Sequence, residues 1–117
     1  MIRGTGIDIV HVARIRKLMD KHGERFLKKI LSAGEIALMP GVNADLFTAG
    51  RFAAKESLVK ACGKTFSFSA LSVLNESSGK PYFSGDALIQ ISEGATIHLS
   101  ISHDTDYAVA FVVIETA

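Results

Sequence analysis

The segment Tyr107 to Ile114 limits the fold of this chain more than any other. It sets Ala108, Ala110 and Val112 on one face and Val109, Phe111 and Val113 on the other, so neither face is polar. A strand that is apolar on both faces must be covered on both sides, by helices or by another subunit. Just before it, Ile97 to His103 alternates Ile97, Leu99 and Ile101 with His98, Ser100 and Ser102. Asp104-Thr105-Asp106 lies between the two runs as a turn, which makes them a hairpin.

The first half is different in kind. Ile2 to Val10 reads as a strand, and Gly4 and Gly6 would let another backbone approach it closely. Val12 to His22 has helical spacing in Val12, Ile15, Leu18 and Met19, and Gly23 ends it. Glu24 to Leu31 is a second short helix. Ser32 and Glu35 form a capping box for a third, Ala33 to Leu38, which Pro40-Gly41 breaks. A long helix runs from about Asp45 to Cys62 and stops at Gly63. Ser67 to Leu74 and Pro81 to Ser84 read as strands around a turn at Ser77-Ser78-Gly79-Lys80, and Asp86 to Glu93 is ambiguous, compatible with a short helix. One strand, several helices and then an antiparallel sheet is an α+β order. The 117 residues fit a single domain, 1–117.

With 48% hydrophobic residues the chain is not a disordered one. The single cysteine, Cys62, cannot form an internal disulfide, and it sits on an apolar helix as a small core residue. No signal peptide is visible after Met1, and no apolar run approaches the ~20 residues of a membrane span. The expected location is the cytoplasm, with no membrane partner.

Net charge is only +1, but it is unevenly placed. His11 to Ile30 holds seven Lys/Arg (Arg14, Arg16, Lys17, Lys21, Arg25, Lys28, Lys29) against two acids, and Thr65 to the end holds six acids against Lys80 alone. The basic stretch suggests an acidic partner or simply a solvated helix face. Nucleic acid is disfavoured as that partner. The one aromatic there, Phe26, belongs to a helix core face, and no nucleic-acid motif is present.

Within the long helix, Gly50-Arg51-Phe52-Ala53-Ala54-Lys55-Glu56-Ser57-Leu58-Val59-Lys60-Ala61 carries more charge than a core helix needs. Glu56 and Lys60 share one face, while Arg51 and Lys55 share a neighbouring one. Glu56 and Lys60 could be no more than a surface ion pair, worth about 0.3–0.5 kcal/mol. Alternatively, a carboxylate flanked by three cations could anchor a metal-bound phosphate. Asp8, amid Ile7, Ile9 and Val10, is costly to bury without a partner. It could cap the following helix, pair with an arginine or hold a metal.

Three blocks together resemble a known family. Gly6-Ile7-Asp8-Ile9-Val10, then Gly50-Arg51-Phe52-Ala53-Ala54-Lys55-Glu56 with Lys60-Ala61, then Ser100-Ile101-Ser102-His103 stand in the order and spacing of the holo-[acyl-carrier-protein] synthases, small bacterial 4′-phosphopantetheinyl transferases. Arg25-Phe26 through Ile30-Leu31, and Gly79-Lys80-Pro81, are secondary matches, and the resemblance spans essentially the whole chain. It implies the α+β transferase fold. It also implies transfer of 4′-phosphopantetheine from coenzyme A to a serine hydroxyl of apo acyl carrier protein. The expected co-product is adenosine 3′,5′-bisphosphate, and the expected setting is Mg²⁺-dependent fatty acid biosynthesis.

By the same resemblance Asp8 and Glu56 match the family's two metal-binding acids. Lys60 matches the lysine that neutralises or protonates the departing phosphate, and Glu56 is a reasonable base for the carrier serine. Lys55, Lys80 and His103 are the candidates for coenzyme A contacts. Arg14, Met19, His22 and Arg25 fall where the family presents a basic helix to its carrier protein. Members are typically homotrimers with active sites shared between subunits. Two departures stand out: the loop after Gly63 is short and has one glycine, and the segment between Gly85 and Ile97 is also short.

Overall fold

The computed structural model describes residues 1–117. Its order is β1 (Ile2–His11), α1 (Val12–His22), α2 (Glu24–Ile30), α3 (Ala33–Leu38), α4 (Ala44–Cys62), a 3₁₀ turn (Phe68–Ala70), β2 (Ser72–Asn75), β3 (Pro81–Ser84), α5 (Ala87–Ser92), β4 (Thr96–His103) and β5 (Tyr107–Glu115). The α+β reading holds. Two antiparallel sheets form, one of three strands in the order β1-β5-β4 and one made of the β2-β3 hairpin. The doubly apolar strand, β5, is therefore the central strand of the main sheet.

The inner face of that sheet lies on α4. Ala108, Ala110, Val112 and Ile114 of β5 and Leu99 of β4 are buried with Ala49, Ala53, Ala54 and Leu58 of α4 in one core. Small residues on both sides let helix and sheet come close. Ser57 stitches them with an Oγ–H donated to the Ala110 carbonyl at 2.8 Å. Truncating fully buried Leu58 to alanine would cost about 2–5 kcal/mol.

Contact with β1 is closer still. A Cβ built on Gly6 would stand 1.9 Å from the Ser57 carbonyl oxygen, and one on Gly4 would stand 2.0 Å from that of Ala61. Only glycine fits at these two crossings, as the sequence suggested. Gly4, Gly6, Asp8 and Val10 form the helix-facing side of β1, while Ile7 and Ile9 are exposed on the other.

The second face of β5 is uncovered. Phe111 is 44% exposed and pairs across the strands with Ile7, 59% exposed, while Ile9, 63% exposed, pairs with Val109. No helix of the chain covers this face, so the covering expected from the sequence comes from α4 on one side only.

Most boundaries match the sequence reading within a residue or two. The clearest difference is at Ser67 to Leu74, where the expected strand begins only at Ser72. The Phe68 carbonyl accepts a hydrogen bond from Lys55 Nζ at 2.8 Å and one from Leu71 N at 3.3 Å, which closes a 3₁₀ turn instead. The ambiguous segment 86–93 contains the helix α5. No helix is long and apolar enough to cross a membrane.

Candidate functional site

Two groups of functional side chains emerge, at different places along α4. The first lies where β1 crosses its C-terminal half. Lys60 Nζ donates to the Ile7 carbonyl at 2.8 Å and stands 3.2 Å from Asp8 Oδ1. Asp8 follows Gly6 on the helix-facing side, and its side chain is 18% exposed. Glu56 lies one turn before Lys60 on the same side of α4, half-buried.

This geometry answers three of the open questions. Lys60 is paired with Asp8 and not with Glu56. Asp8 does not cap α1, whose N-cap is His11 without a side-chain bond. Its ion-pair partner is a lysine, not an arginine.

Asp8 and Glu56 suit a hard cation. Glu56 makes no hydrogen bond or ion pair, and neither Asp8 nor Glu56 has an unpartnered oxygen sealed from solvent. Carboxylate oxygens open to water are the donors Mg²⁺ takes, usually one or two of them with substrate phosphate and water. No group of three or more His, Cys, Asp or Glu gathers anywhere. A cation here would be completed by substrate and solvent.

The second group lines a cleft of about 490 Å³ beside the N-terminal half of α4. Phe47, Gly50 and Arg51 of α4, Asn75 at the end of β2, and Ile101 and His103 of β4 form its walls. The Arg51 side chain is 12% exposed. Its guanidinium carbon sits 3.6 Å over the Phe47 ring, and Nη2 donates to Asn75 Oδ1 at 3.2 Å. Burial lowers the Arg51 pKa, and the Glu35 carboxylate opposes that. His103 is exposed at the cleft mouth. Lys80 is exposed on the β2-β3 turn, between the cleft residues Gly79 and Pro81. Asp8, Glu56 and Lys60 are absent from the walls of this cleft.

Lys55 requires a correction. It was expected at coenzyme A, yet it is fully buried. Its three N–H groups donate to the Ile30 carbonyl at 2.9 Å, Glu35 Oε1 at 2.5 Å and the Phe68 carbonyl at 2.8 Å. Desolvation lowers its pKa, against the bond to Glu35. No donor remains for a ligand. Lys55 ties α2, α3 and the 3₁₀ turn to α4, and removing one partner of such a buried pair costs about 3–5 kcal/mol.

Arg51, one of the three cations that flank Glu56 in sequence, faces Glu35 instead, at 3.8 Å. The signal was present in sequence: Arg51 and Lys55, four apart on an apolar helix, imply a buried acid facing both. Glu35, read only as a capping residue, is that acid.

The basic stretch splits by exposure. Arg14, His22 and Arg25 are exposed, whereas Met19 is half-buried against the core. Arg16 is held by Asp45 at 2.7 Å. His22, Arg25, Lys28 and Lys29 border a groove of about 590 Å³ with Leu18 and Phe26 at its floor. Lys64, in the loop after α4, and Arg3 of β1 both pair with Glu93, just after α5.

Residues 4–112 match the 4′-phosphopantetheinyl transferase superfamily. The chain is 44% identical to the holo-[acyl-carrier-protein] synthase of Maridesulfovibrio salexigens, over 98% of this chain and 99% of that one. Its fold is similar to a Bacillus anthracis holo-(acyl-carrier-protein) synthase in complex with CoA (3′,5′-ADP), with a TM-score of 0.85 and 39% identity over 100% of this chain and 99% of that one. It is also similar to the Neisseria meningitidis holo-[acyl-carrier-protein] synthase, with a TM-score of 0.90 and 36% identity over 99% of this chain and all of the other.

Proposed function

The chain belongs to the holo-[acyl-carrier-protein] synthases of the 4′-phosphopantetheinyl transferase superfamily, and on that premise we propose how its residues divide the work of moving 4′-phosphopantetheine from coenzyme A to a serine of apo acyl carrier protein. The observation that carries the reading is the Asp8–Lys60 contact with Glu56 one turn away. Lys60 meets Asp8 where β1 crosses α4, and Glu56 lies one turn before Lys60 on the same side of the helix.

The serine oxygen forms a bond to the β-phosphorus of coenzyme A, and the bond from that phosphorus to the bridging oxygen breaks. Adenosine 3′,5′-bisphosphate leaves. Negative charge grows on the phosphoryl oxygens, so positioning and neutralisation dominate. Asp8 and Glu56 would hold Mg²⁺, which supplies charge neutralisation to the pyrophosphate. Lys60, fixed by the Ile7 carbonyl, offers its remaining N–H to the departing phosphate. Glu56, with no protein partner, accepts the serine proton.

Arg51, His103 and Lys80 take the phosphates of the donor at the cleft. Arg14, His22 and Arg25 dock the acidic face of the carrier, with Met19 as an apolar neighbour. Because the cleft and the Asp8–Lys60 group stand apart within one chain, each complete site draws on two subunits. The uncovered face around Ile7, Ile9 and Phe111 supports a homotrimer built through the sheets. The setting is cytoplasmic fatty acid biosynthesis.

Intact-mass spectrometry of apo acyl carrier protein, incubated with the enzyme, coenzyme A and Mg²⁺, tests this. A phosphopantetheine mass gain that EDTA abolishes is expected. No gain with several carrier proteins would overturn the reading.

A further inference from the structure

Beneath the cleft lies a buried charge group that the reaction as described does not use. Glu35 is fully buried. Its Oε1 accepts from Ser32 N at 2.9 Å and from Lys55 Nζ at 2.5 Å, and its Oε2 accepts from Val73 N at 2.9 Å. One neighbour is different in kind. Arg51 Nε lies 3.8 Å from Oε2, too far for a hydrogen bond, and has no other acceptor. It is the only buried side-chain nitrogen or oxygen in the chain without a partner.

Two cations therefore face one carboxylate, and a positive charge is left over. Lys55 cannot be its outlet, because all three of its N–H groups are bonded to buried protein oxygens. Arg51 is the outlet. One side of its guanidinium rests on Phe47, Nε faces Glu35, Nη2 meets Asn75, and the group reaches the cleft wall.

We propose that Glu35 is a positioning residue for the donor, holding the Arg51 guanidinium against Phe47 so that it faces a coenzyme A phosphate in the cleft. This rests on the reading of the cleft as the donor site. An arginine already fixed from below loses few rotamers when an anion arrives, and its planar fork keeps its direction. The carboxylate also offsets the cost of keeping a guanidinium nearly buried before the anion binds. The role is separate from the capping box. Capping uses Ser32 and Oε1, whereas Arg51 is approached through Oε2.

Calorimetric binding of coenzyme A, without acceptor protein, decides the matter on Glu35→Gln, Arg51→Ala and the double variant. The double variant keeps the buried net charge of the natural protein, since it removes one acid and one cation. Loss of a charge-assisted contact should weaken coenzyme A binding about 10- to 100-fold in Arg51→Ala. Glu35→Gln should weaken it about tenfold, raising KM for coenzyme A while kcat at saturation holds. The double variant should bind no more weakly than Arg51→Ala alone, because Glu35 acts through Arg51.

Unchanged affinity in folded Glu35→Gln, or an effect that adds fully to that of Arg51→Ala, overturns the proposal. Should Glu35→Gln fail to fold, Glu35→Asp replaces it. That variant keeps the charge for Lys55 but withdraws the carboxylate from Arg51, so weaker binding is again expected and unchanged affinity overturns the role. Unchanged affinity in Arg51→Ala is a different failure: it removes the donor-site reading of the cleft itself, and Glu35's role with it.

Discussion

Lys60 reaches from α4 to β1 and meets Asp8 Oδ1 at 3.2 Å while its second bond, to the Ile7 carbonyl at 2.8 Å, pins it to the strand backbone. Glu56, one turn away, has no such tether. Glu56→Gln should therefore leave stability within about 0.5 kcal/mol, since no hydrogen bond or core contact is lost. Turnover should fall by about two orders of magnitude or more, because a metal charge and the proton acceptor go together. Thermal unfolding and the phosphopantetheine-transfer assay, run side by side, check both halves. Near-normal turnover would sink the assignment.

Two glycine substitutions should separate packing from conformation. Gly6→Ala drives a methyl into the Ser57 carbonyl, backbone against backbone, and should destabilise by about 3 kcal/mol or more. Gly34→Ala in α3 meets nothing closer than 3.8 Å and should stabilise by about 0.4–1 kcal/mol. Denaturant midpoints measure both, and equal effects would contradict the close crossing of β1 over α4.

Arg14→Glu tests the docking face. Arg14 is exposed and has no ion-pair partner in the chain, so reversing its charge should raise KM for the carrier protein and leave KM for coenzyme A alone. Added salt should raise the carrier KM of the natural protein in the same way. A carrier KM indifferent to salt would rule out electrostatic docking.

Phe111→Glu places a charge in the middle of the uncovered face. Sedimentation should show the assembly dissociating towards single chains, and transfer activity should fall with it. Exposed Phe111 makes no core contact, so the subunit should remain folded by circular dichroism. An assembly unaffected by this charge would place the subunit contact elsewhere.

Acid should loosen two specific points. Backbone N–H groups of Tyr107 and Asp106 hold the Asp104 pKa below 3.8, and the Arg16 hydrogen bond does the same for Asp45. A folded-state pKa below the unfolded one means stability that is present above pH 3.8 and is lost as pH falls through the lowered values. Denaturation curves taken from pH 5 down to pH 2 should therefore decline less steeply in Asp104→Asn and Asp45→Asn than in the natural protein. Identical slopes would refute the two contributions.

Much of this architecture was legible in the sequence, for physical reasons that differ by element. The capping box at Ser32 and Glu35 and the glycine stop at Gly63 are local, so their residues suffice. β5 announced its central place in the sheet because both its faces are apolar, although α4 covers only one of them. The 3₁₀ turn at Phe68–Ala70 was hidden because its cause, Lys55, lies 13 residues away in the chain. The same buried bonds took Lys55 out of the ligand site, and periodicity cannot distinguish a cation that faces solvent from one that faces a buried acid. Asp8 and Lys60 were both singled out, but their contact joins residues 52 positions apart and needed the fold to be seen.

The glycine crossings carry a consequence for how freely this chain can vary. Asp8 comes two residues after Gly6 on the same side of β1, so peptide geometry sets it about 7 Å beyond a point where main chain touches main chain. Its Cα is located by the polypeptide itself and not by a jigsaw of neighbouring side chains. Sequence drift in the surrounding core, so long as the two glycines stay, leaves the acid where it was.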